Sequence, residues 1–231
     1  MRRSAIAGLL ALAACAAPAP PPSRAPDPNG LYRQMEACLA QAAPAPPCTE
    51  VDRARGFVVI KDNSPEKPDG WLIVPDREVT GIEDPRALRP PVARFWSYGW
   101  EIGRRLVPAE PQDLGLAINS KAGRSQDLLH IHISCVLPEV REALAGAVIG
   151  PEGAAEPFVA FRGHAYNARR VATLEPSPFL LLRELPGARA EMAAQSLAVI
   201  GSADGSFTLL ADATGAGLVA EAEELLDQDC S

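Results

Sequence analysis

The pattern of apolar and polar positions divides the chain into amphipathic stretches and short strand-like runs. Apolar residues spaced three and four apart predict helices, and apolar or β-branched runs bounded by turn residues predict strands. The predicted helices cover residues 30–43, 92–106, 138–149, 178–185, 188–194 and 218–227. The predicted strands cover residues 56–61, 71–75, 114–119, 128–136, 158–162, 166–174, 197–201 and 206–211. Hairpin-linked strands with helices between them predict a single α+β domain with an antiparallel sheet and flanking helices.

One predicted strand, residues 128–136, carries two of the three histidines of the chain. Side chains alternate between the faces of a strand, so His130, His132 and Ser134 are expected on one face and the residues between them on the other. Neighbours on the same face lie about 6.5–7 Å apart, roughly the width of a phosphate group. This spacing of two imidazoles favours a phosphoryl-transfer site built on histidine.

The loop before this strand is basic and contains glycine and serine, as anion-binding loops do. Its candidate phosphate-binding residues are Lys121, Arg124 and Ser125. The net charge of the whole chain is −7 and aromatic residues make up 5% of it, which argues against nucleic-acid binding. Any phosphate site must therefore be locally basic. The sequence predicts no particular oligomeric state.

The first residues indicate export. Arg2 and Arg3 precede a short apolar run that ends in Leu-Ala-Ala-Cys15, and a run this short does not span a bilayer, which needs about 20 residues. The ending resembles a bacterial lipoprotein signal, which implies a signal peptide over residues 1–14 and lipid on Cys15. An ordinary cleaved signal peptide or an uncleaved anchor is the alternative. The Pro- and Ala-rich residues 15–29 are predicted to tether domain 30–231 to the bacterial cell membrane, facing the periplasm, in either the inner or the outer membrane.

The remaining cysteines fit an oxidising compartment. Cys38, Cys48, Cys135 and Cys230 are even in number and allow three pairings. We favour Cys38 with Cys48, which closes a short Pro-rich loop, and Cys135 with Cys230, which would hold the C-terminus beneath the histidine strand. A rival interpretation makes Cys135 a nucleophile, but strand alternation directs it away from the histidines.

The histidine strand resembles the motif of the histidine-triad superfamily, in which three histidines alternate with apolar residues after an Asn and a Gln. Asn119 and Gln126 lie eleven and four residues before His130, the spacings of that motif. Ser134 stands where the superfamily usually has its third histidine. This departure resembles the branch of CDP-diacylglycerol pyrophosphatases, as do residues 56–62, 81–85, 96–100 and 163–170.

The resemblance implies a histidine-triad-like fold and hydrolysis of membrane-borne CDP-diacylglycerol to CMP and phosphatidate. It implies that His132 is the nucleophile that forms a nucleotidyl-histidine intermediate and that no metal or other cofactor is needed. His130, on the same face of the strand, is expected to orient or stabilise the phosphate. The group that donates a proton to the leaving group is left open, because Ser134 does not accept a proton as strongly as the third histidine would. The candidate substrate-binding residues are Asn119, Ser120, Lys121, Arg124, Ser125, Gln126, Ser134 and His164.

Several alternatives remain at this point. The histidines could lie without function on an exposed strand face, or they could bind zinc, since two histidines two apart on a strand can do so. A broader exported nucleotide pyrophosphatase or nucleotidyl transferase would act on water-soluble substrates. A lipoprotein that binds nucleotides or phospholipids without turnover would retain the pocket, with Ser134 marking lost chemistry.

Overall fold

The computed structural model describes residues 27–62, 64–151, 160–215 and 217–231. The predicted signal peptide, the lipidation site Cys15 and most of the tether lie outside these residues. The described part contains four α-helices: α1 (Gly30–Ala40), α2 (Phe95–Leu106), α3 (Pro138–Gly146) and α4 (Pro178–Arg183). Single 3-10 turns lie at Pro85–Leu88, Val92–Arg94, Pro111–Asp113, Met192–Ala194 and Ala222–Leu225.

Within the described residues, nine strands form the main sheet, and every pair of neighbours is antiparallel. The strands are β1 (Cys48–Asp52), β2 (Phe57–Lys61), β3 (Trp71–Pro75), β4 (Leu114–Ile118), β5 (Ile131–Val136), β8 (Asn167–Val171), β9 (Gln195–Gly201), β10 (Phe207–Ala213) and β11 (Leu226–Asp227). Their order is β1-β2-β3-β5-β4-β9-β10-β8, and β11 also pairs with β5. A separate short hairpin joins β6 (Ala160–Phe161) to β7 (His164–Ala165). The α+β fold with an antiparallel sheet is therefore confirmed.

The sheet is covered on both faces. On one face, α2 and α4 bury the large core that contains Trp96, Phe179 and the isoleucines of β5. On the other face, α1 covers the β1–β3 end, while α3 and the turn Ala222–Leu225 cover the β9–β10 end. The polar face of β5 lies between these two smaller cores. No described helix is long and apolar enough to cross a membrane.

Strand β5 is central and receives three partners. β4 pairs along one side of it, whereas β3 and β11 share the other side: β3 pairs with residues 131–133 and β11 with residues 135 and 136. Disulfide Cys135–Cys230 links β5 to the chain just after β11, and disulfide Cys38–Cys48 links α1 to β1. The favoured pairing of the four cysteines is thus present in the structure.

Two predicted helices are wrong. Residues 218–227 form a 3-10 turn and strand β11, because backbone pairing with β5 overrides the local helical preference of this Glu- and Leu-rich segment. Residues 188–194 form turns that end in Met192–Ala194. There the carbonyl oxygens of Ala193 and Ala194 accept hydrogen bonds from the backbone N–H groups of Lys121 and Thr214, at 2.8 Å each, instead of serving a helix.

Candidate active site

Strand alternation sets the direction of the histidines. Ile131 and Ile133 are fully buried against α2. His132 lies on the opposite face, in register with Leu72 of β3 and Ala117 of β4. His130 immediately precedes the strand, and its ring centre lies 4.9 Å from that of His132, with an interplanar angle of 71°. The two imidazoles therefore form one edge-to-face pair on the side that the sequence predicted.

A hydrogen bond fixes the tautomer of His130. Its Nδ1 lies 2.7 Å from the carbonyl oxygen of Leu128, which accepts only, so Nδ1 carries the proton. In the neutral ring, Nε2 then has the free lone pair. His130 can therefore accept a proton from, or a hydrogen bond of, a group that enters the site.

A carboxylate that the sequence did not single out lies against His132. Oε2 of Glu223, from the turn Ala222–Leu225, lies 3.2 Å from Nε2 of His132. This nitrogen is buried and makes no hydrogen bond with the described residues, because the carboxylate lies off the direction in which a proton on Nε2 would point. Glu223 also receives a hydrogen bond of 3.0 Å from Asn119 Nδ2 and forms an ion pair with Lys67.

Burial and charge set the protonation states of the site. Burial lowers the pKa of His132 to about 4, against the opposing effect of the Glu223 carboxylate. Burial also lowers the pKa of His130, against its hydrogen bond to Leu128. Burial alone would raise the pKa of Glu223. The opposing effects are larger and lower this pKa to about 2: they come from protonated His132, the Lys67 ammonium, and the hydrogen bonds from Lys67 and Asn119. At neutral pH, two uncharged imidazoles therefore lie beside an ionised carboxylate.

Both histidines open onto a cavity of about 370 Å³. Its wall comes from α1, the turn between β2 and β3, the loop after β4, and the turn that carries Glu223. The polar side chains that share it with the histidines and Glu223 are those of Gln34, Asp62, Ser64, Lys67, Asn119, Arg124, Ser125 and Gln126. The cavity is thus polar and holds one ammonium group close to the imidazoles.

The structure brings several predicted site residues to this cavity but gives them internal partners. Both ends of the Asn119 side-chain amide bond to Glu223. The amide NH₂ of Asn119 donates to the Glu223 carboxylate, and the amide oxygen of Asn119 accepts from the Glu223 backbone N–H, each at 3.0 Å. Gln126 accepts from the Leu31 N–H at 2.7 Å and donates to a carbonyl before α1, so it holds the start of that helix. Ser125 lines the cavity as predicted.

Arg124 has an environment different from the expected phosphate contact. Its side chain is 3% exposed, and it makes two hydrogen bonds of 2.7 Å to the carboxylate of Glu83. A third contact of 3.3 Å joins it to Asp127. The guanidinium therefore ties the basic loop to the segment before α2, although it still lies along the cavity wall.

Four other predicted residues lie outside the cavity lining. Ser120 is fully buried and accepts from the Gly123 N–H at 3.2 Å, whereas Lys121 is exposed. Ser134 is fully buried, with its hydroxyl 3.0 Å and 2.8 Å from two backbone carbonyl oxygens. His164 lies in a separate buried cluster, where Nδ1 is 2.7 Å from Asp212.

Glu223 and Lys67 are the residues that sequence reasoning missed. Lys67 lies between β2 and β3, outside the elements and motifs that the sequence predicts. Glu223 lies in the segment that was predicted to be a helix. The acidic run Glu221 to Glu224 is visible in the sequence, but no local pattern relates it to a histidine ninety-one residues earlier.

A family model and a sequence relative identify the family of this chain. The family model described as CDP-diacylglycerol pyrophosphatase matches residues 26–231. The CDP-diacylglycerol pyrophosphatase of Yersinia pestis is 37% identical over 198 residues, which cover 80% of this chain and 75% of that protein. The crystal structure of yeast Ap4A phosphorylase Apa2 is similar with a TM-score of 0.44 and 16% identity, over 79% of this chain and 63%, less than two thirds, of that chain. The chain therefore belongs to the CDP-diacylglycerol pyrophosphatase family.

Proposed function

We propose that this protein hydrolyses the pyrophosphate bond of CDP-diacylglycerol to CMP and phosphatidate. The observation that carries the proposal is the pair of neutral imidazoles on a polar cavity, in a chain of this family. A neutral imidazole is a good nucleophile toward phosphorus, and a covalent intermediate divides one difficult displacement into two easier ones. His132 is the proposed nucleophile, as the motif implies.

In the first step, Nδ1 of His132, the ring nitrogen that does not face Glu223, forms a bond to the phosphorus of the cytidylyl group. The bond from this phosphorus to the bridging oxygen breaks, and its electron pair leaves on phosphatidate. Charge develops on the phosphoryl oxygens during this step, and fixed donors stabilise it. Lys67 supplies the nearest ammonium group on the described cavity wall, and the hydroxyl of Ser125 and the amide of Gln34 supply hydrogen bonds.

In the second step, water attacks the same phosphorus. The bond between nitrogen and phosphorus breaks, and its electron pair returns to the His132 ring. The proton that water loses passes to Nε2 of His130, which has a free lone pair because Nδ1 donates to Leu128. CMP then leaves, and His130 returns the proton to solvent. Both histidines are again neutral for the next turnover.

The proposal includes the location of the protein at a membrane. CDP-diacylglycerol resides in a bilayer, so an enzyme held at the membrane meets its substrate directly. We propose that residues 1–14 are a signal peptide, that Cys15 carries lipid, and that residues 15–29 tether the domain on the periplasmic side. The basic start, the short apolar run and the Leu-Ala-Ala-Cys ending support this. Labelling with a radioactive fatty acid, lost in a Cys15→Ser variant, tests the anchor.

CMP release from CDP-diacylglycerol in detergent micelles tests the reaction. The purified domain, in excess EDTA, should release CMP, and His132→Ala should abolish release while its circular dichroism and thermal melt stay those of the wild type. A 5′-labelled cytidylyl group should be trapped on the wild-type protein by rapid acid quenching. Full turnover by His132→Ala would refute histidine nucleophilic catalysis. Activity on soluble CDP-alcohols equal to that on the lipid would favour the broader pyrophosphatase instead.

A further inference from the structure

The C-terminal segment supplies a charged group that the histidine strand lacks. In the motif this strand resembles, a third histidine would occupy the position of Ser134, but the Ser134 hydroxyl faces backbone carbonyl oxygens of Asp69 and Asp227. Glu223, four residues before Asp227, instead brings its carboxylate to within 3.2 Å of His132 Nε2. The charged group beside His132 is therefore Glu223, whereas Ser134 is engaged with the backbone.

The position of Glu223 is fixed by contacts from three parts of the chain. Its backbone N–H donates to Asn119 Oδ1 at 3.0 Å, and its Oε2 accepts from Asn119 Nδ2 at 3.0 Å. Its other oxygen accepts from Gln228 Nε2 at 3.1 Å and pairs with Lys67. A carboxylate held by donors on both oxygens, as well as through its backbone, is preorganised to face His132.

The segment that carries Glu223 is itself attached to β5. Strand β11 pairs with residues 135 and 136, Ser134 holds the carbonyl oxygen of Asp227 at 2.8 Å, and Cys135 is bonded to Cys230. On the other side, Glu224 accepts a hydrogen bond of 2.8 Å from the hydroxyl of buried Tyr166. The acidic turn is therefore clamped from both sides, with Glu223 directed to the cavity and Glu224 away from it.

We propose that Glu223 is a catalytic residue that stabilises the positive charge on the His132 ring in the nucleotidyl-histidine intermediate. This inference rests on the proposed function. When a ring nitrogen bonds to phosphorus and phosphatidate leaves with the electron pair, the imidazole becomes a cation. The adjacent carboxylate compensates this charge until water cleaves the nitrogen–phosphorus bond and the ring is neutral again. The aspartate of a serine-protease triad supports its imidazolium in the same way.

The oblique approach of the carboxylate to Nε2 is compatible with this role. Catalytic hydrogen bonds are commonly long or poorly aligned without ligand and tighten when the reacting groups are in place. The opposite role, in which Glu223 occupies the phosphate position and must leave it, would require breaking the bonds to Asn119, Gln228 and Lys67 together. The structure therefore favours a carboxylate that stays beside His132 throughout turnover.

The test compares Glu223→Gln with Glu224→Gln, the same substitution on the neighbouring residue of the same turn. Glutamine keeps the size and an acceptor oxygen but removes the charge. For Glu223→Gln, kcat for CMP release should fall by up to roughly 10⁴-fold, the loss that neutralising the carboxylate behind the catalytic imidazole gives in a serine-protease triad, with KM changed less than threefold. For Glu224→Gln, kcat should fall less than tenfold, because its amide oxygen still accepts from Tyr166.

A pH profile separates the charge effect from mere structural damage. The charged or titratable groups that face His132 are Glu223, His130, Lys67 and Asp62. The negative charge of Glu223 favours the protonated form of His132 and so raises its pKa. Glu223→Gln removes this charge, so the acid limb of the kcat/KM profile should move to lower pH. Glu224→Gln should leave that limb in place.

The outcomes are distinct. If the wild type releases CMP and His132→Ala does not, but Glu223→Gln keeps full kcat and an unshifted acid limb, the role of Glu223 is refuted and the proposed function stands. If Glu223→Gln turns over faster or binds CMP more tightly, the carboxylate blocks the phosphate position and the inference is also refuted. If the folded wild type releases no CMP, the proposed function itself fails.

Discussion

Removing the two disulfides one at a time should destabilise the protein by different amounts, because they close loops of very different length. Cys38 and Cys48 are 10 residues apart, whereas Cys135 and Cys230 are 95 apart. A crosslink lowers the conformational entropy of the unfolded chain, and the effect grows with the logarithm of the loop length. The long-range disulfide should therefore contribute more stability.

The magnitudes follow from the loop lengths. The chain-entropy relation gives about 2.7 kcal/mol for the shorter loop and about 4.7 kcal/mol for the longer one at 25 °C. The difference of about 2 kcal/mol corresponds to about 4–8 °C in Tm for a domain of this size. Each variant replaces both cysteines of one disulfide with alanine. Because each variant loses two sulfur atoms, the comparison isolates the effect of loop length.

Urea denaturation of the two double variants under non-reducing conditions measures the free energies of unfolding, with the wild type in the same buffer. CMP release measured on the same samples adds a second readout. Cys135→Ala with Cys230→Ala should lower kcat, because the pair holds the segment that carries Glu223. Cys38→Ala with Cys48→Ala should leave kcat close to that of the wild type.

Equal losses of stability, or a larger loss on removing Cys38–Cys48, would refute the loop-entropy reasoning. A fall in kcat for the Cys38–Cys48 variant as large as for the other would refute the link between the C-terminal disulfide and catalysis. Denaturant slopes must match among the proteins, since a changed slope means a changed unfolded state.

Three further predictions concern the core and the site. Arg124→Met should cost about 3 kcal/mol in urea denaturation because it leaves the Glu83 carboxylate unpaired, and adding Glu83→Leu should recover most of the loss. Burial holds the pKa of His132 at about 4, below its ordinary value of 6.5, so the unfolded state binds more protons between these values. Stability should therefore fall as pH drops through this window, by about 3 kcal/mol, and His132→Asn should flatten the dependence. Gly201→Ala places a methyl 2.2 Å from a backbone oxygen and should lower stability by about 1–3 kcal/mol. Gly146→Ala in α3 meets no described atom within 4 Å and should raise Tm slightly.

The histidine site was partly predictable because it depends on local geometry. Alternation along β5 correctly placed His130 and His132 on one face, with the isoleucines in the core. The same reasoning put Ser134 on that face, but its hydroxyl is taken up by the carbonyl oxygens of two other segments. The basic loop was recognised, yet the sequence carried no sign that the Arg124 guanidinium is bound by Glu83.

Elements that depend on neighbouring residues can be predicted from the order of amino acids alone. Hydrophobic spacing gave most helices and strands, turn residues gave the hairpins, and an even number of cysteines indicated disulfides. These signals act over a few residues, and the physical preferences behind them are local.

The groups that meet at the site come from distant parts of the chain, and long-range packing brings them together. Glu223 contacts Asn119 across 104 positions of the chain, and Lys67 contacts Glu223 across 156. The segment around Glu223 has helix-forming residues, but the pairing of β11 with β5 and the disulfide between Cys135 and Cys230 give it a non-helical conformation. Such contacts depend on the packing of the whole sheet, because the two residues of each contact come close only when the strands between them in the sequence have assembled.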